Sequence, residues 1–148
     1  MLENIKDLKK KEKWLRTLYE ITRDVTSILS LKECLKKITE KVTELLGVET
    51  TSLMLLDKER KELSIEHAIG LPEEVIKSAK IRVGKDPSVS GWVAEKGKPL
   101  LINDLEKDGR FPLRNISRYN TKSLLSVPLK VKGKVIGVLN VNNKIQKE

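Results

Sequence analysis

Four basic side chains, Arg110, Arg114, Arg118 and Lys122, recur at intervals of four. On a helix that spacing sets them along one face, where they could clamp an anion. Phe111 and Pro112 interrupt ideal helix geometry, which leaves Arg114 and Arg118 as the stronger pair. A solvated basic face is the plainer reading, and charge runs usually are that. A second candidate begins at Asp86-Pro87-Ser88. Asp86 reads as an N-cap and Pro87 as the first position of a helix that Gly97 ends. The free N–H groups of Ser88, Val89 and Ser90 would then receive a carboxylate or phosphate. Alternatively, Asp86 and water take those donors.

Redox and metal chemistry find little support. Cys34 is the single cysteine and His67 the single histidine. No disulfide can form within the chain, and no His/Cys cluster offers metal or haem ligands. Cys34 reads as a small packed side chain on a helix, and His67 as a partly buried residue at a strand end. Hydrophobic residues make up 39% of the 148, charged ones 34%, and the net charge is +9. The basic excess is interleaved with acids and accompanied by two Trp, two Tyr and one Phe, which argues against a nucleic-acid surface. No apolar run is long enough for a membrane span, and Met1-Leu2-Glu3 lacks the order of a signal peptide. The cytoplasm is the expected location.

The elements that would carry these residues follow from periodicity. Residues 3–29 lack Gly and Pro and read as one long helix. Leu8, Leu15, Leu18, Val25 and Leu29 form a heptad seam suited to a second copy of the chain. A second stripe, Trp14, Leu18, Ile21, Val25 and Ile28, widens the apolar surface, and both stripes could instead face one core. Ser30-Leu31-Lys32-Glu33 reads as a capping box that starts a second helix, ended by Gly47. Strands are expected at 48–56 and 62–68, with Leu63, Ile65 and His67 on one face of the latter. A short helix after Pro72, strands near 80–83 and 99–102, and a helix near 113–119 follow. Ser123–Val131 and Lys134–Asn142 form a hairpin across Lys132-Gly133.

Two stretches carry a resemblance. One is I-R-V-G-K-D-P-S-V-S-G-W-V-A-E-K-G-K-P-L-L-I-N-D, from Ile81 to Asp104. The other is T-K-S-L-L-S-V-P-L-K-V-K-G-K-V-I-G-V-L-N-V-N-N-K, from Thr121 to Lys144. In order and wording they resemble a GAF domain. The resemblance implies an α+β, PAS-related fold. It has a central antiparallel sheet of five to six strands, helices on one face, and ligand-pocket lid segments on the other. It divides the chain into an N-terminal helix, 1–29, for dimerisation and signalling, and a sensor domain, 30–148, without the family's usual C-terminal helix. The helix after Asp86 and the 103–122 segment would form the lid.

The resemblance also implies site residues. Thr51-Ser52-Leu53-Met54-Leu55-Leu56-Asp57 is similar to the first strand of cyclic-nucleotide-binding members, which carries Ser52 over as a contact. Asn143-Lys144 matches the start of their closing motif, whose remainder is absent here. Asp104 matches the acidic residue after the short strand and reads first as a loop-fixing acceptor. The candidate pocket is therefore Ser52, His67, Ser88, Ser90, Asp104, Arg114, Arg118, Tyr119 and Thr121, with Asn140 as a further lining residue. The expected function is a non-enzymatic regulatory sensor. It would bind a small metabolite or nucleotide, with an anion the candidate chemistry, and relay the signal through helices to an output domain in the same or another chain. No cofactor is specified. A ligand-free dimerisation scaffold is the alternative. A methionine sulfoxide reductase-type enzyme would need several thiols at the pocket, and the chain has one cysteine.

Overall fold

The computed structural model describes residues 1–25, 28–111 and 123–145, with side-chain surroundings given outside 19–30 and Lys144. It forms two compact units, Met1–Cys34 and Leu35–Glu148. The first holds α1, Leu2–Val25. Its heptad leucines Leu8, Leu15 and Leu18 are exposed, as is Trp14. Val25 and Leu29 lie among the residues whose side-chain surroundings are not described. The next helix, α2, runs Ile28–Leu46. It begins ahead of the expected capping box, so Ser30 stands within the helix and not at its N-cap. Neither glycine nor proline stands between Ile28 and Leu46, so nothing in the backbone chemistry stops the helix at Ser30. Cys34 is exposed on this helix, not packed as its residue type suggested.

The second unit is built on one six-stranded antiparallel sheet. Its strands are β1 (Val48–Asp57), β2 (Glu62–Ile69), β3 (Lys80–Arg82), β4 (Leu100–Ile102), β5 (Leu124–Val131) and β6 (Lys134–Lys144). They lie in the order β3-β2-β1-β6-β5-β4. The long first and last strands therefore pair at the centre, and shorter strands flank them. Among the described residues, three short helices join the strands: α3 (Glu73–Ser78), α4 (Val89–Lys96) and α5 (Leu105–Asp108). The β5–β6 hairpin turns at Lys132 and Gly133, with φ of 51° and 76°. Two positive φ values make the turn whose twist matches that of the strands, and glycine adopts one of them without steric cost.

Side chains alternate across the sheet. On one face Met54, Leu63, Leu124 and Val138 meet Val89, Val93 and Ala94 of α4 and Ile102 of β4 in one buried cluster. On the other face Leu53 and Val141 are buried. There the Thr43 hydroxyl of α2 shares a 2.8 Å hydrogen bond with that of Thr51 and also donates to the Thr39 carbonyl at 2.6 Å.

One irregularity matters for function. Met54 pairs with Ile65, but Leu53 pairs with His67, so Glu66 is an extra residue in β2. A bulge of this kind shifts the alternation by one. His67 thus shares the face of Leu53, opposite to Ile65 and Leu63, and the expected common face of Leu63, Ile65 and His67 holds only as far as the bulge.

The sheet centre is also tightly spaced. Gly137 sits opposite Leu55 on β1, and a Cβ added there would run into the carbonyl of Met54. Gly137→Ala should therefore lower stability by about 1–3 kcal/mol through backbone displacement. Urea unfolding checks this, with a lower midpoint at unchanged slope as the expected result.

Candidate ligand site

The floor of the site is a row of side chains crossing the sheet. Ser126 of β5 lies opposite Asn140 of β6, which lies opposite Ser52 of β1. One step along, Asn142 lies opposite Thr50. One step the other way, Val138 lies opposite Met54, itself opposite Ile65. Period-two alternation alone generates this pattern: two polar rows beside an apolar one, all on the α4 face of the sheet.

Helix α4 forms the wall. Its N-cap is Ser88, whose Oγ accepts from the Gly91 N–H at 3.0 Å, and its C-cap is the left-handed Gly97. This corrects the expected N-cap of Asp86 and the placement of Pro87 at the first helical position. The Asp86 carboxylate is held elsewhere: it accepts from the Arg82 backbone N–H at 2.7 Å and from the Arg82 guanidinium at 2.9 Å. Asp86 thereby ties the end of β3 to the approach to α4, while the serine two residues later does the capping. Two positions into the helix, Ser90 faces the sheet, and its Oγ accepts from Asn140 Nδ2 at 2.9 Å. The same nitrogen lies 3.4 Å from Ser52 Oγ and 3.7 Å from Met54 Sδ. A hydroxyl on β1 and a hydroxyl on α4, 38 residues apart in sequence, are thus gathered around one amide.

Above this floor lies a cavity of about 210 Å³. Ser52, Ser90, Asn140, Thr50 and Asn142 give it its polar side, and Met54, Ile65, Leu71, Ile81 and Leu105 its apolar one. Its volume falls below the usual range for drug-sized ligands, about 300–1,000 Å³, which fits a small metabolite. No charged side chain is among its described lining residues. Among the described residues, two buried oxygens of the polar row, Asn140 Oδ1 and Ser126 Oγ, have no hydrogen-bond partner, and Ser126 is not part of the cavity lining.

The remaining candidates are distributed around this cavity. Asp104 caps α5, its Oδ1 accepting from the N–H groups of Glu106 at 3.0 Å and Lys107 at 3.4 Å. That is the loop-fixing role, and it places the adjacent Leu105 in the cavity wall. Ser88 borders a separate cleft of about 240 Å³ together with Arg110 and Phe111. Arg110 is committed to Asp108, donating from Nε at 2.6 Å and from its terminal nitrogen at 2.7 Å. His67 lies on the opposite face of the sheet. Arg114, Arg118, Tyr119, Thr121 and the helix expected near 113–119 lie outside the described residues. Thr50, Met54, Ser126 and Asn142 escaped the sequence reading. The signal available was parity on β6, where Asn140 and Asn142 alternate with Leu139 and Val141; β1 carries no such alternation, because Thr51 stands between Thr50 and Ser52.

Among the described residues no cluster of His, Cys, Asp or Glu could hold a metal ion. None of the described helices is long and apolar enough to cross a membrane.

The GAF domain family model matches residues 30–148. The chain belongs to the GAF domain family. It is 32% identical to the dual 3′,5′-cyclic-AMP and -GMP phosphodiesterase 11 of Drosophila melanogaster, over 97% of this chain and 11% of that protein. It is 29% identical to the Nif-specific regulatory protein of Herbaspirillum seropedicae, over 86% of this chain and 24% of that protein. The chain therefore spans a minor part of these relatives. Among solved structures, the GAF domain of an Acinetobacter phosphoenolpyruvate-protein phosphotransferase superposes with a TM-score of 0.67 at 26% identity. That match covers 90% of this chain and 78% of the other.

The Arg82–Asp86 pair yields a pH prediction. Hydrogen bonds from the Arg82 side chain, and then from its backbone N–H, hold the Asp86 carboxyl below the usual carboxylate range. Because the folded value is the lower one, the pair adds stability above the ordinary pKa of about 3.9 and loses it as pH falls through the folded value. A carbon-detected NMR titration of Asp86 should show a midpoint below the ordinary value, and Arg82→Ala, which removes the guanidinium but keeps the backbone N–H, should move it part of the way back.

Proposed function

We propose that this chain is a regulatory module that binds a small molecule in the cavity between α4 and the sheet. The signal would pass to an output domain through the N-terminal helix, with 1–29 as the relay and 30–148 as the sensor. The observation that carries this reading is the two-sided cavity lining, with Thr50, Ser52, Ser90, Asn140 and Asn142 on its polar side and Met54, Ile65, Leu71, Ile81 and Leu105 on its apolar side. A small molecule with a polar and an apolar part would match both sides. The relatives support the regulatory sense, since one is a regulatory protein by name and both exceed the matched region several-fold in length. Relay requires only a differential affinity of the ligand for two arrangements of the chain, typically 1–3 kcal/mol.

The module is read as non-catalytic. Its described cavity lining offers hydroxyls, amides and aliphatic groups, and no thiol, imidazole or carboxylate to act as nucleophile or base. Cys34 is exposed on α2 and is not part of that lining.

A thermal-shift panel of small metabolites tests the site. A ligand at a hundred times its Kd adds about 2.7 kcal/mol, or roughly 5–10 °C in Tm for a chain of this size. Ala79 borders the cavity, and Ala79→Leu should fill part of it and remove the shift. A shift retained in that variant would move the ligand elsewhere, and no shift across the panel would count against a sensor.

A second copy of the chain is the proposed partner of α1, supported by the exposed Leu8, Leu15, Leu18 and Trp14. Light scattering should give twice the chain mass, and Leu8→Asp with Leu15→Asp should give the monomer. Identical masses for both proteins would remove α1 from that role.

A further inference from the structure

Strand β1 forms part of the cavity floor, and it is also the strand against which α2 rests. Period-two alternation divides three consecutive residues of it between the two faces of the sheet. Thr50 and Ser52 line the cavity, while the fully buried Thr51 between them meets α2. The helix answers with hydroxyls of its own. Among the described side chains of α2 only Thr39 is buried, whereas Ile38 and Leu45 are exposed. Thr43 Oγ1 lies 2.8 Å from Thr51 Oγ1 and 2.6 Å from the Thr39 carbonyl oxygen. Each hydroxyl has one proton, so Thr43 donates to that carbonyl and accepts from Thr51. The Thr39 hydroxyl in turn donates to the Leu35 carbonyl at 2.7 Å.

A contact of this kind registers small movements. Close-packed aliphatic side chains resist displacement together, but a single hydrogen bond weakens steeply as it lengthens or bends. The Thr51–Thr43 bond already has the preferred length for two hydroxyls, so a shift of β1 in either sense weakens it. A molecule seated in the cavity bears on Thr50 and Ser52, the two chain neighbours of Thr51.

We infer that the Thr51–Thr43 hydrogen bond couples the state of the cavity to α2: filling the cavity displaces β1, weakens the bond and loosens residues 35–46. This rests on the cavity being the ligand site, and it assigns the first step by which occupancy would leave that site.

The test fills the cavity covalently and so needs no natural ligand. In a Cys34→Ala background, Ser52→Cys puts the one thiol of the chain in the cavity lining, and methyl methanethiosulfonate adds a methylthio group there. Ser52→Met carries nearly the same shape genetically and serves if the thiol stays unreacted. Amide hydrogen exchange is then compared between the empty and filled proteins. Exchange of residues 35–46 should rise about threefold or more relative to β5 on filling. Thr43→Val, which keeps the side-chain shape and removes the hydroxyl, should abolish that further rise. Thr51→Val carries the same expectation if Thr43→Val does not fold. Unchanged exchange in 35–46 on filling would overturn the inference. So would an equal rise in the valine variants, which would assign the path to Gly47, the one residue between α2 and β1. Neither result decides the sensor reading, which the thermal-shift panel tests separately.

Discussion

The register between β1 and β6 is the constraint on which everything else rests. These strands are far apart in sequence, yet seven paired positions hold them together at the centre of the sheet. A slip of one residue would turn every side chain on β6 to the other face, exchanging Asn140 and Val138 for Val141 and Leu139. Gly137 against the Met54 carbonyl permits the close approach at one end of the pair. At the other end, Asn143 donates to Glu49 at 3.2 Å. With the register fixed, the polar row is positioned before any ligand arrives, and binding need not pay to assemble it.

Such a row is costly to keep. An apolar side chain in place of Asn140 would bury more hydrocarbon and remove one of the two buried oxygens that lack a partner among the described residues. The surrounding cluster of Leu63, Val93, Val138 and Ile102, each almost fully buried, offsets that cost. Polar groups kept in a sheet at the expense of stability are the usual mark of a binding surface, as distinct from a filled core. The same logic explains the division of labour on α4. Val89, Val93 and Ala94 pack into the cluster, while Ser90 in the first turn faces the amide.

Much of the fold was legible in the sequence because its signals are local. Gly47 and Gly97 end helices, and Lys132-Gly133 turns the β5–β6 hairpin. The helix-start assignments went astray for a local reason too. Both Asp86 and Ser88 are good caps, and the backbone N–H and guanidinium of Arg82, four residues back, occupy Asp86 elsewhere. The site was less legible because its members meet through pairing between distant strands. Ser52 and Ser90 were singled out separately, but Asn140, which joins them, could not be oriented without the β1–β6 register. His67 was misplaced by a single extra residue, Glu66, which no composition or propensity signal reveals.

Native mass spectrometry of the chain, compared directly with Ala79→Leu, tests most directly the claim that the cavity is a ligand site. The account predicts that the parent protein carries a small non-covalent adduct, retained from its source or taken up from a metabolite extract, and that the filled variant does not. An adduct of equal occupancy in both proteins, or bare chain mass in both after exposure to the extract, would contradict it.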